Sequence, residues 1–167
     1  MKIKIHILIL SLLAAFTVNS ANVFPNYSFK YFDVKSGLKC TEVYNFSQDD
    51  EGLLWLGTNN GLLQFDGYNF FEFDKFRNEL QNPPLGNYRF ILKHSMGNMW
   101  IATDYSGVSE YNPHNKLFKH YNPNKFKDNN VADGASYLMR EDENKNIWFA
   151  HYFNGISIFN YNSKKFE

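Results

Sequence analysis

The stretch Asp49–Gly67, DDEGLLWLGTNNGLLQFDG, decides the fold of this chain. Its single Trp lies between two glycine-containing turns and is flanked by short apolar segments. The same arrangement recurs as HSMGNMWIATDYSGVSEYN around Trp100 and as DENKNIWFAHYFNGISIFN around Trp148. These are the three Trp of the sequence, and they stand 45 and 48 residues apart. The pattern therefore indicates a repeat, and not an isolated catalytic or phosphate-binding loop.

Each copy of the repeat carries the same structural positions. They are Trp55, Trp100 and Trp148, then Gly61, Gly107 and Gly155 in the following turn; the preceding turn has Asp49 in the first copy and Asp142 in the third, with His94 in the second. A period in the forties with four short strands per copy predicts the blades of a β-propeller. Segments such as LLWLGT are apolar on both faces, which is typical of strands buried between neighbouring sheets. We expect the three Trp to be core residues and the two Asp to be turn residues.

The predicted fold class is all-β, a partial β-propeller of about three four-stranded blades. An N-terminal strand would close the ring in a longer protein, because residues 27–38 resemble the end of a copy. The predicted segments are a signal peptide at 1–20, the closing strand at 21–35, and blades at 36–82, 83–128 and 129–167, the last with an incomplete outer strand.

The first twenty residues are typical of an export signal. Lys2 and Lys4 precede an apolar run from Ile5 to Val18, and small and polar residues follow. The run is shorter than the roughly 20 residues that span a bilayer, which favours cleavage before Ala21 over a membrane anchor. We therefore expect an exported protein, periplasmic or at the cell surface. The single cysteine, Cys40, excludes an internal disulfide.

Composition narrows the function classes. Aromatic residues make up 19% of the chain, so a large core can form, and the formal net charge is zero. A neutral chain gives no reason to expect nucleic acid as a partner. The spacing of Asp49, Asp50 and Glu51 does not fit a calcium loop, and the His residues lack metal-ligand spacing. We expect no metal, no cofactor and no catalytic residues.

The first copy resembles the two-component regulator propeller repeat. The matching residues are Gly37-Leu38, Asp49, Gly52, Leu54-Trp55-Leu56-Gly57-Thr58 and Gly61-Leu62. The later copies depart from the pattern, with His94 in place of the Asp, Lys145 in place of the Gly and His151 in place of the Thr. The resemblance implies the periplasmic sensor region of a hybrid two-component system or sensor histidine kinase, and it brings no catalytic set to this chain.

The turn after each Trp strand varies most between the copies, and it is the candidate ligand site. The candidate residues are Asn59, Asn60, Asp104, Tyr105, Tyr152, Phe153 and Asn154. Aromatic faces beside amides and carboxylates suit sugars, which offer apolar C–H patches between hydroxyls. The alternative is that the Tyr and Phe side chains pack against the next blade. Arg89 and Arg140 are weaker candidates for an anionic sugar group.

The sequence and the resemblance together predict the N-terminal part of a ligand-sensing propeller that detects an oligosaccharide. The signal would pass to a downstream histidine kinase that this chain lacks. Expected partners are the oligosaccharide, the remaining blades and downstream sensor domains, and a second copy in a homodimer. The alternatives are a free secreted propeller with lectin-like or scaffold binding, and a propeller lyase or glycosidase.

Overall fold

A computed structural model describes residues 27–73, 82–84, 86–122, 131–132 and 134–167. The predicted signal peptide and most of the two loops between the blades lie outside these residues. The chain divides after Tyr31 into two units, and of the first unit only residues 27–31 are described, without helix or strand. Everything below concerns the second unit, Phe32–Glu167.

The described part of this unit holds three antiparallel sheets of four strands each, and each sheet is a simple meander. The first sheet contains β1 (Val43–Gln48), β2 (Leu54–Thr58), β3 (Gly61–Phe65) and β4 (Phe70–Glu72). The second contains β5 (Tyr88–Lys93), β6 (Met99–Thr103), β7 (Val108–Asn112) and β8 (Leu117–Tyr121). The third contains β9 (Ser136–Glu141), β10 (Ile147–His151), β11 (Ile156–Asn160) and β12 (Lys165–Phe166). The all-β prediction is confirmed, and each predicted blade segment contains one sheet.

The N-terminal closing strand is not formed in the described residues. Residues 27–33 belong to no strand, and Val34–Ser36 form a 3-10 turn. Asp33 caps this turn, because its Oδ1 accepts a hydrogen bond from the backbone N–H of Ser36 at 3.0 Å. Gly37 ends the turn with a φ of 92°. A capped turn that ends in a left-handed residue competes with an extended strand. Closure of a ring by residues 21–35 stays a prediction.

The turn between the first and second strands of each blade is here called the first turn. Its hydrogen bonds explain why the repeat has an Asp at this position. Asp49 Oδ1 accepts hydrogen bonds from the backbone N–H groups of Glu51 and Leu53, at 3.0 and 2.9 Å. Its Oδ2 accepts the indole N–H of Trp55 at 2.7 Å. One carboxylate thus fixes both the turn and the orientation of the indole six residues later.

The third blade repeats this arrangement. Asp142 accepts hydrogen bonds from the backbone N–H groups of Asn144 and Asn146, both at 2.9 Å. It also accepts the indole N–H of Trp148 at 3.0 Å. Lys145 has a φ of 70° at the position where Gly52 has 88°. The turn therefore keeps its shape although a side chain occupies the glycine position.

The second blade lacks the Asp, and its first turn is built differently. Trp100 is fully buried, and its indole N–H has no acceptor among the described residues. His94 instead points toward the third blade: its Nε2 lies 2.9 Å from the carbonyl oxygen of Lys145, and its ring stacks on Tyr161 at 4.4 Å. His94 Nδ1 still accepts the backbone N–H of Met96 at 3.2 Å, so the substitution keeps this bond of the turn, removes the acceptor for the indole and adds contacts between blades.

Packing between the blades depends on the indole rings. Trp55 lies against Tyr111 of the second blade, with 5.1 Å between ring centroids. Trp100 lies against Phe159 and Phe149 of the third blade, at 4.7 and 5.7 Å. Trp55 and Trp100 are buried as predicted.

Trp148 departs from this expectation, with 43% of its surface exposed. By analogy with Trp55 and Trp100, it stands on the side of its sheet where a following blade would lie. No fourth sheet covers that side among the residues described. The indoles of the repeat also contact rings of their own blade, Phe73 for Trp55 and Tyr121 for Trp100, but their full burial requires the successor blade.

The edge strand β5 is held by polar side chains of the first blade. The side-chain oxygen of Asn45 accepts the backbone N–H of Ile91 at 2.7 Å, and Ser47 Oγ accepts that of Lys93 at 3.1 Å. A buried backbone N–H group on an edge strand lowers stability when it has no acceptor, so these hydrogen bonds stabilise the contact between the first two blades. The corresponding positions of the second blade are Phe90 and Leu92, which pack against the apolar cluster of the third blade.

Gly57 is the position where the first two blades approach most tightly. A methyl group at this residue would overlap the backbone carbonyl oxygen of Tyr88. Gly57→Ala should therefore lower the free energy of unfolding by about 1–3 kcal/mol through overpacking. Chemical unfolding followed by Trp fluorescence measures the change. Ala102, at the equivalent position, already carries the methyl, so Ala102→Gly should cost only about 0.5–1 kcal/mol. Equal stability of Gly57→Ala and the wild type would contradict this packing.

The third-blade first turn predicts a pH dependence. The indole N–H of Trp148 lowers the pKa of Asp142 below its ordinary value of 3.8, helped by N–H groups of Asn146 and Asn144 against an opposing effect of burial. A lowered folded-state pKa adds stability above the unfolded pKa, and this is lost as pH falls through the folded pKa. Unfolding measured from pH 5 to pH 2 should show a smaller pH dependence in Asp142→Asn. Glu143→Gln, in the same turn, should retain the wild-type dependence; identical profiles for all three proteins would exclude the effect.

Candidate functional site

The turn between the second and third strands, here called the second turn, lies at the end of each blade opposite the first turn. The structure places the candidate residues there: residues 59–60 in the first blade, 104–106 in the second and 152–154 in the third. The three turns have different side-chain environments, and they are described in chain order.

In the first blade, the candidate residues are used for the fold. The side-chain amide of Asn59 donates to Thr41 Oγ1 at 2.9 Å, and that of Asn60 donates to the carbonyl oxygen of Lys39 at 2.7 Å. Both amides thus fasten residues 39–42 to the blade. This turn contributes no aromatic side chain, and its polar groups are already engaged.

In the second blade, Asp104 is also engaged. Both of its carboxylate oxygens accept hydrogen bonds from the Arg89 guanidinium, with Nη2 at 3.0 Å from Oδ2, and Asn87 donates to the same oxygen at 2.8 Å. The Asp104 hydrogen bond is the main reason that the pKa of Arg89 lies above its usual range. Tyr105, the next residue, extends away from this network and is 78% exposed.

In the third blade, two adjacent aromatic side chains reach solvent. Tyr152 is 59% exposed and Phe153 is 93% exposed, with the two rings at 4.6 Å in an edge-to-face contact. Phe153 has a φ of 74°, a left-handed conformation that is rare for a bulky residue. Asn154 follows and places its side-chain amide beside Gly134.

Phe153 combines two unfavourable features, because its backbone is strained and its apolar ring is exposed. Left-handed backbone costs an L-residue roughly 1–2 kcal/mol. Gly155 lies two residues away with a φ of 71°, so the turn already has a glycine where it needs one. Strain of this kind is concentrated at functional sites. The described residues do not cover Tyr105, Tyr152 or Phe153 with a neighbouring blade, so packing between blades does not account for them.

The base of each second turn is braced by the last residue of the Trp strand. Thr58 Oγ1 donates to the carbonyl oxygen of Gly61 at 2.7 Å and accepts the N–H of Asn60 at 3.0 Å. In the third blade the Thr position is occupied by His151, whose ring lies between Ser136 Oγ at 2.9 Å and Ser157 Oγ at 3.0 Å.

Burial lowers the pKa of His151, so the imidazole is held in its neutral form and acts as a bridge between two hydroxyls. His151, which replaces the Thr of the repeat, thus supports the second turn that carries Tyr152 and Phe153. The sequence marked His151 as a departure from the repeat, but not as a brace. The Ser136–His151 pair is buried and meets no substrate-accessible carboxylate or nucleophile in the described residues.

The prediction that Arg89 serves an anionic sugar group fits the structure poorly, because Asp104 already neutralises the guanidinium. Arg140 pairs in register with Trp148 on the third blade and makes no described contact with the second turns. Across the described ranges, no group of three His, Cys, Asp or Glu side chains is arranged to hold a metal ion. The candidate residues that present exposed aromatic surface are Tyr105, Tyr152 and Phe153.

Comparison with known proteins identifies the repeat. The sequence profile of the family described as "Two component regulator propeller" matches residues 37–60, which include Asp49 and Trp55. Residues 37–60 of the chain therefore match a two-component regulator propeller repeat. A 45-residue segment, 27% of the chain, is 44% identical to histidine kinase P4 of Formosa agariphila, and it covers 3% of that protein.

Solved structures of two-component systems share the propeller blades. One is the extracellular domain of hybrid two-component system BT3049 from B. thetaiotaomicron, with a TM-score of 0.71 and 23% identity over 83% of this chain. Another is the extracellular domain of hybrid two-component system BT4673 from the same organism, with a TM-score of 0.57 and 20% identity over 83% of the chain. This chain spans 19% of each of those structures, and at such identities the likeness shows the fold alone.

Among the described residues, no helix has the length and apolar character needed to cross a bilayer.

Phe153→Gly tests whether the left-handed backbone of Phe153 lowers the stability of the protein. Glycine adopts a positive φ without strain, so the variant should be more stable by roughly 0.5–1 kcal/mol in thermal or chemical unfolding. Lys145→Gly is the matched control, because Lys145 has a φ of 70° in a first turn at the other end of the blade. Both variants should gain stability. A loss of stability in Phe153→Gly would mean that the ring has a packing role.

Proposed function

We propose that this chain is part of an exported sensor propeller of a two-component regulator and that its second turns bind an oligosaccharide. The observation that carries the proposal is the set of exposed aromatic side chains at equivalent turns of neighbouring blades. Tyr105 is 78% exposed, Tyr152 59% and Phe153 93%, the last with a φ of 74°. Exposed apolar rings beside polar groups are typical of ligand sites.

The sensory part of the proposal is supported by the relatives. Two similar structures are extracellular domains of hybrid two-component systems, and one relative is a histidine kinase. The predicted export signal at 1–20 agrees with such a location. Binding at the second turns would be passed to a histidine kinase encoded in the same protein, outside the residues of this chain.

The carbohydrate part of the proposal is supported by the chemistry of the turns. Pyranose rings present apolar C–H faces that pack on aromatic rings, while their hydroxyls require hydrogen-bond donors and acceptors. Tyr105, Tyr152 and Phe153 offer ring surface, and Asn154 and the Tyr hydroxyls offer polar groups. Exposed rings on the second turns of two neighbouring blades suit a chain of several sugar units better than a small enclosed ligand.

Tyr105→Ala and Tyr152→Ala test the site directly. A glycan array of plant and algal polysaccharide fragments first identifies the best ligand, and titration calorimetry then measures its affinity. Each substitution should weaken binding about 3- to 10-fold, which corresponds to the loss of one aromatic contact.

Tyr68→Ala is the matched control for this experiment. Tyr68 is 82% exposed and lies in the turn between β3 and β4, at the end of the blade opposite the second turns. The control should retain wild-type affinity. Unchanged affinity in all three variants, or an equal loss in all three, would place the site elsewhere.

A further inference from the structure

Each of the three blades has an irregularity at the same place on its innermost strand. The pairing of the first strand with the second shifts by one residue between Val43 and Asn45, between Tyr88 and Phe90, and between Ser136 and Leu138. The residues left without a paired partner are Tyr44, Arg89 and Tyr137. A β-bulge of this kind changes the direction of a side chain, and bulges often lie beside functional sites.

The bulged side chains face the second turns. Arg89 pairs with Asp104 of the second-blade turn. Tyr137 contacts Tyr152 of the third-blade turn, with ring centroids 5.8 Å apart. The Arg89 guanidinium lies 4.2 Å from the ring centroid of Tyr44, which links the first blade to the second. The bulges thus place one long side chain from each blade next to the candidate ligand surface.

The charges around these side chains disfavour an anionic ligand. The charged groups that contact Tyr44, Arg89 or Asp104 in the described part of the chain are Glu42, Arg89 and Asp104. Tyr44 donates its hydroxyl to Glu42 at 2.7 Å, and the Arg89 guanidinium is shared with Asp104. A carboxylate or sulfate on a sugar would meet the net negative charge of Glu42, Arg89 and Asp104, because Asp104 already neutralises Arg89.

We propose that Tyr44, Arg89 and Tyr137 form the inner wall of the oligosaccharide site and that this wall selects uncharged sugar units. The inference rests on the proposed function. Tyr137 is 50% exposed and offers ring surface next to Tyr152. Arg89 has five N–H donors, of which Asp104 takes two, and the others can donate to sugar hydroxyls. Asp104 holds Arg89 in place and cancels its charge, so it is a specificity-determining residue.

The test uses pairs of glycans that differ in charge. Suitable probes are xylo-oligosaccharides with and without a glucuronate branch, and oligogalacturonates with and without methyl esters. The wild-type chain should bind the uncharged member of a pair more tightly. Asp104→Asn frees the charge of Arg89, and it should raise the affinity for the charged member relative to the uncharged one by about tenfold or more.

Tyr137→Ala and Tyr44→Ala should each weaken binding of the uncharged probe about 3- to 10-fold. Tyr44→Phe keeps the ring next to Arg89, and it should retain most of the affinity. Near-ultraviolet circular dichroism of each variant checks that the blades remain packed.

The outcomes separate this inference from the proposed function. Binding that depends on Tyr105 and Tyr152 but not on Tyr44 or Tyr137 would overturn the inner wall and leave the sugar site in place. Tighter wild-type binding of the charged probes, lost in Arg89→Gln, would overturn the selection of uncharged sugars. If no pair bound to the folded chain, both proposals would be wrong.

Discussion

The contact between an indole and the next blade is the interaction on which the rest of this structure depends. Exposing both apolar faces of a four-stranded sheet to water is unfavourable, and here the second sheet packs against the first on one face and against the third on the other. Trp55 is completed by Tyr111, and Trp100 by Phe159 and Phe149. The blades therefore stabilise one another through these contacts. Trp148, which no following blade covers among the described residues, is partly exposed.

Because the blades pack in series, the two ends of each blade have different roles. The first turns orient the indoles, so Asp49 and Asp142 have little freedom to change. His94 shows that a change there is accepted only when other contacts replace the lost one, in this case with Lys145 and Tyr161. The second turns lie away from the packed faces and can vary. Blades two and three use this freedom to expose aromatic rings, and the strain at Phe153 is consistent with selection for something other than stability.

Much of the fold could be predicted from the sequence because the same local pattern occurs three times in the chain. The strands around Trp55 follow from the apolar pattern and its spacing, and the turn role of Asp49 follows from its likeness to turn motifs of other propellers. The closing strand at 21–35 rests on a similarity in aromatic pattern and stays a prediction, while the described residues show a capped turn at Val34–Ser36. The exposure of Trp148 depends on a neighbour blade, which a local pattern does not encode.

The candidate site could be predicted only in part. Variation between the copies pointed to the second turns and hence to Tyr105, Tyr152 and Phe153. It could not show that Asn59 and Asn60 are tied to residues 39–42, since those partners are distant in sequence. It also missed Tyr44, Tyr137 and the pairing of Arg89 with Asp104, because a bulge leaves no local signal in a strand pattern.

The most direct test of the central claim, that the variable second-turn end recognises the ligand while the first-turn end holds the blades, is hydrogen–deuterium exchange with and without the best-binding oligosaccharide. We predict protection on binding in residues 103–107 and 151–155, with no change in residues 49–53 and 142–146. Protection confined to the first turns, or protection spread evenly over both ends of the blades, would contradict the account.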